Sequence, residues 1–254
     1  MNEVEMEKTR RGEQRRRKGL SVFRLKVIGA IFMALNVASV AILPALVDDP
    51  SQDMTALTAI VLCAAASWIA VPIYSWLLFD GYRHTHNVWA YGLRLLVVAV
   101  VSEVPYDLIM AGKPFSLSVQ NPVFGLLIAL VVLALVDWLA KKYYGAFRWT
   151  LTVLVIIAGL LWDLLLHVGV DQRVLYTGVL TLSFVMVFYF LNARENSMMF
   201  TAGLLGAVMC ITPAIGVAFL HYRNGEQGFK QPWTKWAFYV IYPVLLVFGA
   251  LVAA

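Results

Sequence analysis

The chain has 254 residues, of which 61% are hydrophobic and only 14% charged, and its formal net charge is +5. Soluble domains carry about 25% charged residues, so this composition indicates an integral membrane protein and leaves no room for a second, soluble domain. The sequence also lacks a Gly-rich phosphate-binding motif, which argues against a nucleotide hydrolase.

Much of the positive charge precedes the first apolar segment, where seven Lys and Arg residues fall between Lys8 and Lys18. Residues 1–24 contain no apolar core followed by a small-residue cleavage site, so we do not expect them to form a removable signal peptide. A basic segment of this kind binds either nucleic acid or the anionic headgroups of a membrane. We predict the second: a cytoplasmic N-terminal segment on the lipid bilayer, with no nucleic-acid partner.

Residues 25–254 are predicted to form one all-α domain, a polytopic transmembrane helical bundle. Crossing a hydrocarbon core about 30 Å thick takes about 20 helical residues. Eight apolar segments are long enough, or nearly so: 25–47, 55–79, 88–110, 122–140, 149–167, 173–191, 199–220 and 236–253. Because basic loops stay inside, eight spans place both termini in the cytoplasm. The turn Asp80–Asn87 is then also inside, and the loop Tyr222–Lys235 is outside.

The stretch Phe79–Asp107 holds an unusual share of the ionisable residues. Its turn, Asp80–Asn87, is either a solvated loop or a binding site. Glu103 lies about 22 Å beyond the start of the following helix, at 1.5 Å per residue. Asp107 lies one helical turn further. Ionisable side chains inside a membrane usually face the bundle interior and mark function, so both carboxylates are candidate catalytic residues.

Asp163 and His167 reach the same depth on the fifth apolar segment, and their i,i+4 spacing can place them on one helix face. They are either a general base with its orienting carboxylate or a pair at the membrane interface. The same layer contains the polar residues Gln120, Asn121, Tyr239 and Tyr242.

The cytoplasmic side of the bundle is predicted to hold a basic cluster of Arg83, His84, His86 and Arg94. His84 and His86 supply two metal ligands at most, and a structural metal site needs four. We therefore predict no metal.

Five motifs in this order resemble the TraX family, whose corresponding motifs run GYRHT, LRLL, SEIPFDL, QN and KYFFYxxYP. In this chain they read GYRHT at 81–85, LRLL at 93–96, SEVPYDL at 102–108, QN at 120–121 and KWAFYVIYP at 235–243.

The resemblance implies a membrane acetyltransferase related to integral-membrane acyltransferases, located in the bacterial cytoplasmic membrane. The family's named activity is acetylation of the N-terminus of conjugative pilin. Acetyl-CoA would be the co-substrate, and the acceptor at the outer face would be a protein N-terminus, a glycan or a lipid.

The resemblance also assigns roles to the polar residues. Basic groups at the inner face would hold the CoA phosphates by charge-assisted hydrogen bonds. Together with the depth of the polar residues, it leads us to expect CoA binding by Tyr82, Arg83, His84 and Arg94, and acceptor binding by Gln120, Asn121, Tyr239 and Tyr242. The candidate catalytic residues are Glu103 and Asp107 in the family motifs, and Asp163 and His167, which lie outside those motifs and come from their spacing alone.

The chain departs from the family pattern at two places. Family members usually carry Asp-His midway along the first helix, where this chain has Asn36 and Val37, and many carry a histidine where this chain has Leu245. Two alternatives therefore stay open beside the enzyme. One is a non-catalytic protein that binds or escorts a membrane partner, and the other is a small transporter with Arg94, Glu103 and Asp163 along its pathway.

Overall fold

The structure, a computed structural model, describes residues 19–47, 52–171, 175–209, 211–229, 231 and 233–253. Most of the predicted N-terminal segment, residues 1–18, lies outside the described residues. So do residues 48–51 of the acidic loop and residues 172–174.

The described chain is helical except for one antiparallel pair of two-residue strands, which confirms the predicted all-α class. Helix α1 continues through a π-helical turn, Ala38–Ile42, into the short α2. The elements are α1 Val22–Val37, α2 Leu43–Ala45, α3 Met54–Ser67, α4 Ala70–His84, α5 Val88–Ala111, α6 Pro122–Lys142, α7 Gly145–Leu165, β1 Val170–Asp171, β2 Leu175–Tyr176, α8 Thr177–Leu191, α9 Glu195–Met209, α10 Ile211–His221 and α11 Thr234–Ala253.

Within the described residues, five helical segments are long and apolar enough to cross a membrane. They are Val22–Ala45, Met54–His84, Pro122–Lys142, Gly145–Leu165 and Trp236–Ala253. Helix α5 has 24 residues but carries three Arg, Glu and Asp side chains, and α8 and α10 are shorter apolar helices. The predicted eight spans are therefore not confirmed.

Local sequence sets the helix ends that matter for the site. The Asn87 side chain accepts a hydrogen bond from the Ala90 backbone N–H at 3.0 Å and begins α5. Gly112, with φ of 65°, ends it in the left-handed conformation that glycine adopts without strain. The break between α3 and α4 includes Trp68, the residue four before Pro72, where a proline ring clashes with the helical carbonyl.

The predicted single span at 199–220 is wrong, because α9 and α10 form an antiparallel hairpin. Gly206 packs against the backbone of Ala214, and the Arg223 guanidinium after α10 contacts Glu195 at the start of α9 at 3.0 Å. The two helices have 15 and 11 residues. At 1.5 Å per residue they are about 22 and 16 Å long, less than the roughly 30 Å of a hydrocarbon core.

The segment after this hairpin returns to the start of α1. The Leu20 N–H donates to the Tyr222 carbonyl at 2.8 Å, and the Leu20 carbonyl accepts from Asn224 at 3.0 Å. The described part of the Tyr222–Lys235 loop thus lies at the same end as the start of α1. The sequence-based assignment of this loop to the opposite side is wrong.

Helix α11 consequently runs parallel to α1. The Lys26 ammonium lies 5.6 Å from the Phe238 ring near the start of both helices, and Gly249 packs against Val37 near their ends. Gly19 and Ala253 therefore lie at opposite ends of the bundle, whereas the eight-span prediction places the two ends of the helical domain on one side. The termini themselves, residues 1–18 and 254, lie outside the described residues.

We call the end that holds the start of α1 the basic end. Among the Lys and Arg side chains that the structure describes, Lys113 lies at the opposite end. The others lie toward the basic end: Arg24, Lys26, Arg83, Arg94, Lys141, Lys142, Arg148, Arg194 and Arg223.

Candidate functional site

A cavity of about 460 Å³ runs along the bundle between α1, α4, α5 and α11. Lys26, His84 and Arg94 line it at the basic end, and Met110 and Thr177 line it near the other end. It is thus a long channel-shaped cavity with a basic mouth.

Aromatic rings contact both Lys26 and Arg94 at this mouth. The Lys26 ammonium lies 5.6 Å from the Phe238 ring. The Arg94 guanidinium lies 5.9 Å from the Tyr91 ring and 6.0 Å from the Tyr239 ring, and its Nε donates to the Ala90 carbonyl at 3.0 Å. Cation–π contacts of this kind fix a charged group without neutralising it. The mouth therefore keeps positive charge available for an anionic ligand.

His84 completes the mouth from the end of α4. Its Nδ1 lies 2.8 Å from the Asp80 carbonyl oxygen and 3.5 Å from the Asp80 carboxylate, one helical turn earlier. The side chain is two-thirds exposed. It is therefore anchored through one ring nitrogen and accessible from solution.

Tyr82 and Arg83, the other two residues predicted to bind CoA, face away from the cavity. The Tyr82 hydroxyl donates to the Asp137 carboxylate at 2.8 Å, and Arg83 Nη1 donates to the Asn192 side-chain oxygen at 3.0 Å. Neither residue lines the cavity. Half of the predicted CoA-binding group is thus at the mouth and half is not.

Asp137 organises this part of the basic end, and the sequence analysis missed it. Besides Tyr82, its carboxylate accepts from Lys141 at 2.8 Å and from the Tyr189 hydroxyl at 3.4 Å. It thereby joins α4, α6 and α8. The available signal was an aspartate four residues before a lysine at the end of an apolar helix.

Beyond the mouth, the polar groups of the cavity are uncharged. The Asn36 side-chain amide donates to the Ser67 hydroxyl at 3.4 Å, and Ser67 donates to the Ala64 carbonyl at 2.7 Å. Three tyrosines also line this part: Tyr74, Tyr106 and Tyr242. No carboxylate belongs to the described lining of the cavity.

Glu103 lies beside the cavity and is held by Asn121. Both the backbone N–H of Asn121, at 3.2 Å, and its side-chain amide donate to Glu103 Oε2. Asn121 is fully buried, and its amide also donates to the Ala99 carbonyl at 2.8 Å. Pro122, the residue after Asn121, and Tyr106, three residues after Glu103, both line the cavity. Asn121 therefore positions Glu103 and does not itself reach the cavity.

Asp107 and Gln120 stabilise the loop between α5 and α6. The buried Asp107 carboxylate accepts from the Ser116 backbone N–H at 2.7 Å. The Gln120 carbonyl accepts from Gly169 at 2.7 Å. The contacts of both residues are with the backbone of neighbouring loops.

Asp163 and His167 do not form a pair. Helix α7 ends at Leu165, and His167, with φ of 50°, lies past the helix and is exposed. Asp163 is fully buried beside Gly178, and its carboxylate has no hydrogen-bonding partner among the described residues. The i,i+4 expectation was wrong because the helix ends before the second residue.

The comparisons with known proteins point to one family. The family model described as TraX protein matches residues 24–252, nearly the whole chain. No curated protein and no solved structure matches the chain significantly. The family match spans the helices that form the basic mouth, the cavity and the Glu103–Asn121 contact, and the chain belongs to the TraX family.

Proposed function

We propose that this chain is a membrane-embedded acetyltransferase, which moves an acetyl group from cytoplasmic acetyl-CoA to an acceptor at the outer face. The observation that carries the proposal is the cavity, with its three basic side chains at one end and uncharged groups along its length. CoA has the same distribution of charge, since its phosphates lie at one end and its thioester at the end of an uncharged arm.

The distribution of charge supports the orientation that this function needs. Membrane proteins carry an excess of Lys and Arg on their cytoplasmic side. Among the described Lys and Arg side chains, those other than Lys113 lie toward the basic end. We therefore place the basic end, with His84 and Arg94, in the cytoplasm. The end of α11 then faces outward.

In the proposed reaction, an amine or hydroxyl of the acceptor attacks the thioester carbonyl. A C–N or C–O bond forms, the C–S bond breaks, and CoA leaves as a thiolate that takes up a proton. Glu103, which lies beside the cavity and not in its described lining, accepts the proton that the acceptor loses through one bridging water, the role of a general base. Its two hydrogen bonds from Asn121 fix the carboxylate in one orientation.

Binding and transfer assays test this proposal. Purified protein in lipid nanodiscs is titrated with acetyl-CoA in a calorimeter, and then incubated with radiolabelled acetyl-CoA and three acceptor classes: peptides with free N-termini, glycans and lipids. The proposal predicts saturable binding and label in one acceptor class. Folded protein that binds no acetyl-CoA contradicts it.

A second candidate is a non-catalytic member of the family that binds a membrane partner. The supporting observation is that both departures from the family pattern, Val37 and Leu245, lie in one apolar cluster between α1, α5 and α11. Apolar residues thus occupy both positions where the family pattern has a histidine, and they belong to the same cluster. Acetyl-CoA binding without transfer to any of the three acceptor classes would favour this candidate.

A further inference from the structure

We infer that the cavity binds the pantetheine arm of an acyl-CoA through uncharged side chains, with Tyr74 and Tyr242 along the arm and Asn36 with Ser67 at the thioester. This inference rests on the proposed function and adds to it the residues that bind the donor's arm.

Depth along α1 gives the first argument. Lys26 at the mouth and Asn36 in the cavity lie on the same helix, ten residues apart. This separation is about 15 Å along the helix axis, close to the length of an extended pantetheine arm between its phosphate and its sulfur. A ligand with its phosphates at Lys26 and Arg94 therefore places its thioester near Asn36.

The order of groups along α3 and α4 gives the second argument. The Tyr74 ring packs on Gly29 of α1, whereas Ser67 accepts the hydrogen bond from Asn36. Tyr74 thus lies between the mouth and the Asn36–Ser67 contact. Tyr242 lies in one buried cluster with Tyr106, and both line the cavity together with Tyr74.

The chemistry of these groups matches a pantetheine arm. The arm carries two amides and a thioester, which are neutral groups that hydrogen-bond. The cavity beyond the mouth offers amide and hydroxyl groups, and no carboxylate belongs to its described lining. The acyl chain of a lipid has no amide or carbonyl along its length and gains nothing from such donors.

Side chains of the cavity can donate hydrogen bonds to such a ligand. Tyr74 and Tyr242 line the cavity, so a ligand inside it can reach their hydroxyl groups. The Asn36–Ser67 hydrogen bond is long at 3.4 Å, so a ligand carbonyl can compete for the same N–H. A carbonyl held by fixed donors is also polarised toward attack, as in an oxyanion hole.

The experiment compares two ligands by calorimetry on the full chain in nanodiscs. Acetyl-CoA contains the arm, and adenosine bisphosphate contains the phosphates without it. Asn36→Leu and Tyr242→Phe should each weaken acetyl-CoA binding about two- to tenfold, the loss of one uncharged hydrogen bond. Adenosine bisphosphate affinity should stay unchanged in both variants, whereas Arg94→Ala should weaken both ligands.

Asn192→Leu and Tyr143→Phe are matched controls, because they remove a side-chain amide and a tyrosine hydroxyl outside the cavity. They should leave the affinities for acetyl-CoA and for adenosine bisphosphate unchanged. If thermal unfolding shows that Asn36→Leu is not folded, Ser67→Ala is used in its place. Unchanged acetyl-CoA affinity in the folded cavity variants overturns the inference and leaves the proposed function standing. A wild type that binds adenosine bisphosphate but not acetyl-CoA overturns both.

Discussion

Asn121 donates two hydrogen bonds to the same oxygen of Glu103, one from its backbone N–H and one from its side-chain amide. Asn121 is also the N-cap of α6, where its side-chain oxygen accepts from the Val123 N–H at 3.0 Å. One buried residue therefore begins a transmembrane helix and orients the only carboxylate that we propose as a general base.

Asn121→Ala tests this double role through stability. Losing an N-cap costs about 1 kcal/mol, and leaving buried hydrogen-bonding groups unpaired adds about 1–3 kcal/mol. Asn87→Ala is the matched control, because Asn87 caps α5 and its hydrogen bonds with Thr85 and Ala90 involve no carboxylate. Chemical unfolding should show a larger loss for Asn121→Ala. Equal losses would mean that the Glu103 contact contributes nothing to stability.

Glu103→Gln tests the proposed base. The substitution keeps the shape of the side chain and removes its ability to accept a proton. Acetyl transfer should fall about 100-fold or more, while acetyl-CoA affinity stays normal. Asp107→Asn is the comparison, since Asp107 holds a loop and should mainly affect stability. Full transfer activity in Glu103→Gln would exclude Glu103 as the base.

Arg94→Ala and Arg83→Ala separate the mouth from the neighbouring surface. Arg94 lines the cavity, so its removal should weaken acetyl-CoA binding by about 1.5–3 kcal/mol, the range for a hydrogen bond to a charged group. Arg83 contacts Asn192 outside the cavity, and its removal should leave acetyl-CoA affinity unchanged. Calorimetry at two salt concentrations checks both values. A larger loss of acetyl-CoA affinity in Arg83→Ala than in Arg94→Ala would indicate that the phosphates bind outside the cavity.

Single-cysteine labelling tests the corrected topology, in a background without Cys63 and Cys210. Gln227→Cys and His84→Cys lie at the basic end and should be protected from an impermeant reagent added outside intact cells. Lys113→Cys lies in the loop at the opposite end and should react. Labelling of Gln227→Cys together with Lys113→Cys would restore the eight-span topology.

A double-mutant cycle tests whether Asp163 and His167 act independently. They share no hydrogen bond, so the effects of Asp163→Asn and His167→Ala on unfolding free energy should add to within about 0.5 kcal/mol. A coupling above about 1 kcal/mol would indicate a contact between them in the functional state.

The sequence predicted the fold class and the helix that carries Arg94 and Glu103, because both depend on the length of local apolar segments. It missed the α9–α10 hairpin, since a hydropathy pattern measures apolar length and not the turn inside it. That error reversed the direction of α11. It also missed Asp137, whose partners Tyr82 and Tyr189 lie more than fifty residues away in the chain.

The position of α11 has a consequence for biosynthesis. This helix packs against both α1 and α5 and contributes Phe238, Tyr239 and Tyr242 to the wall of the cavity. The ribosome makes it after every other described helix. The cavity therefore lacks one wall while the rest of the bundle inserts, and its lining is complete only when α11 packs against α1 and α5.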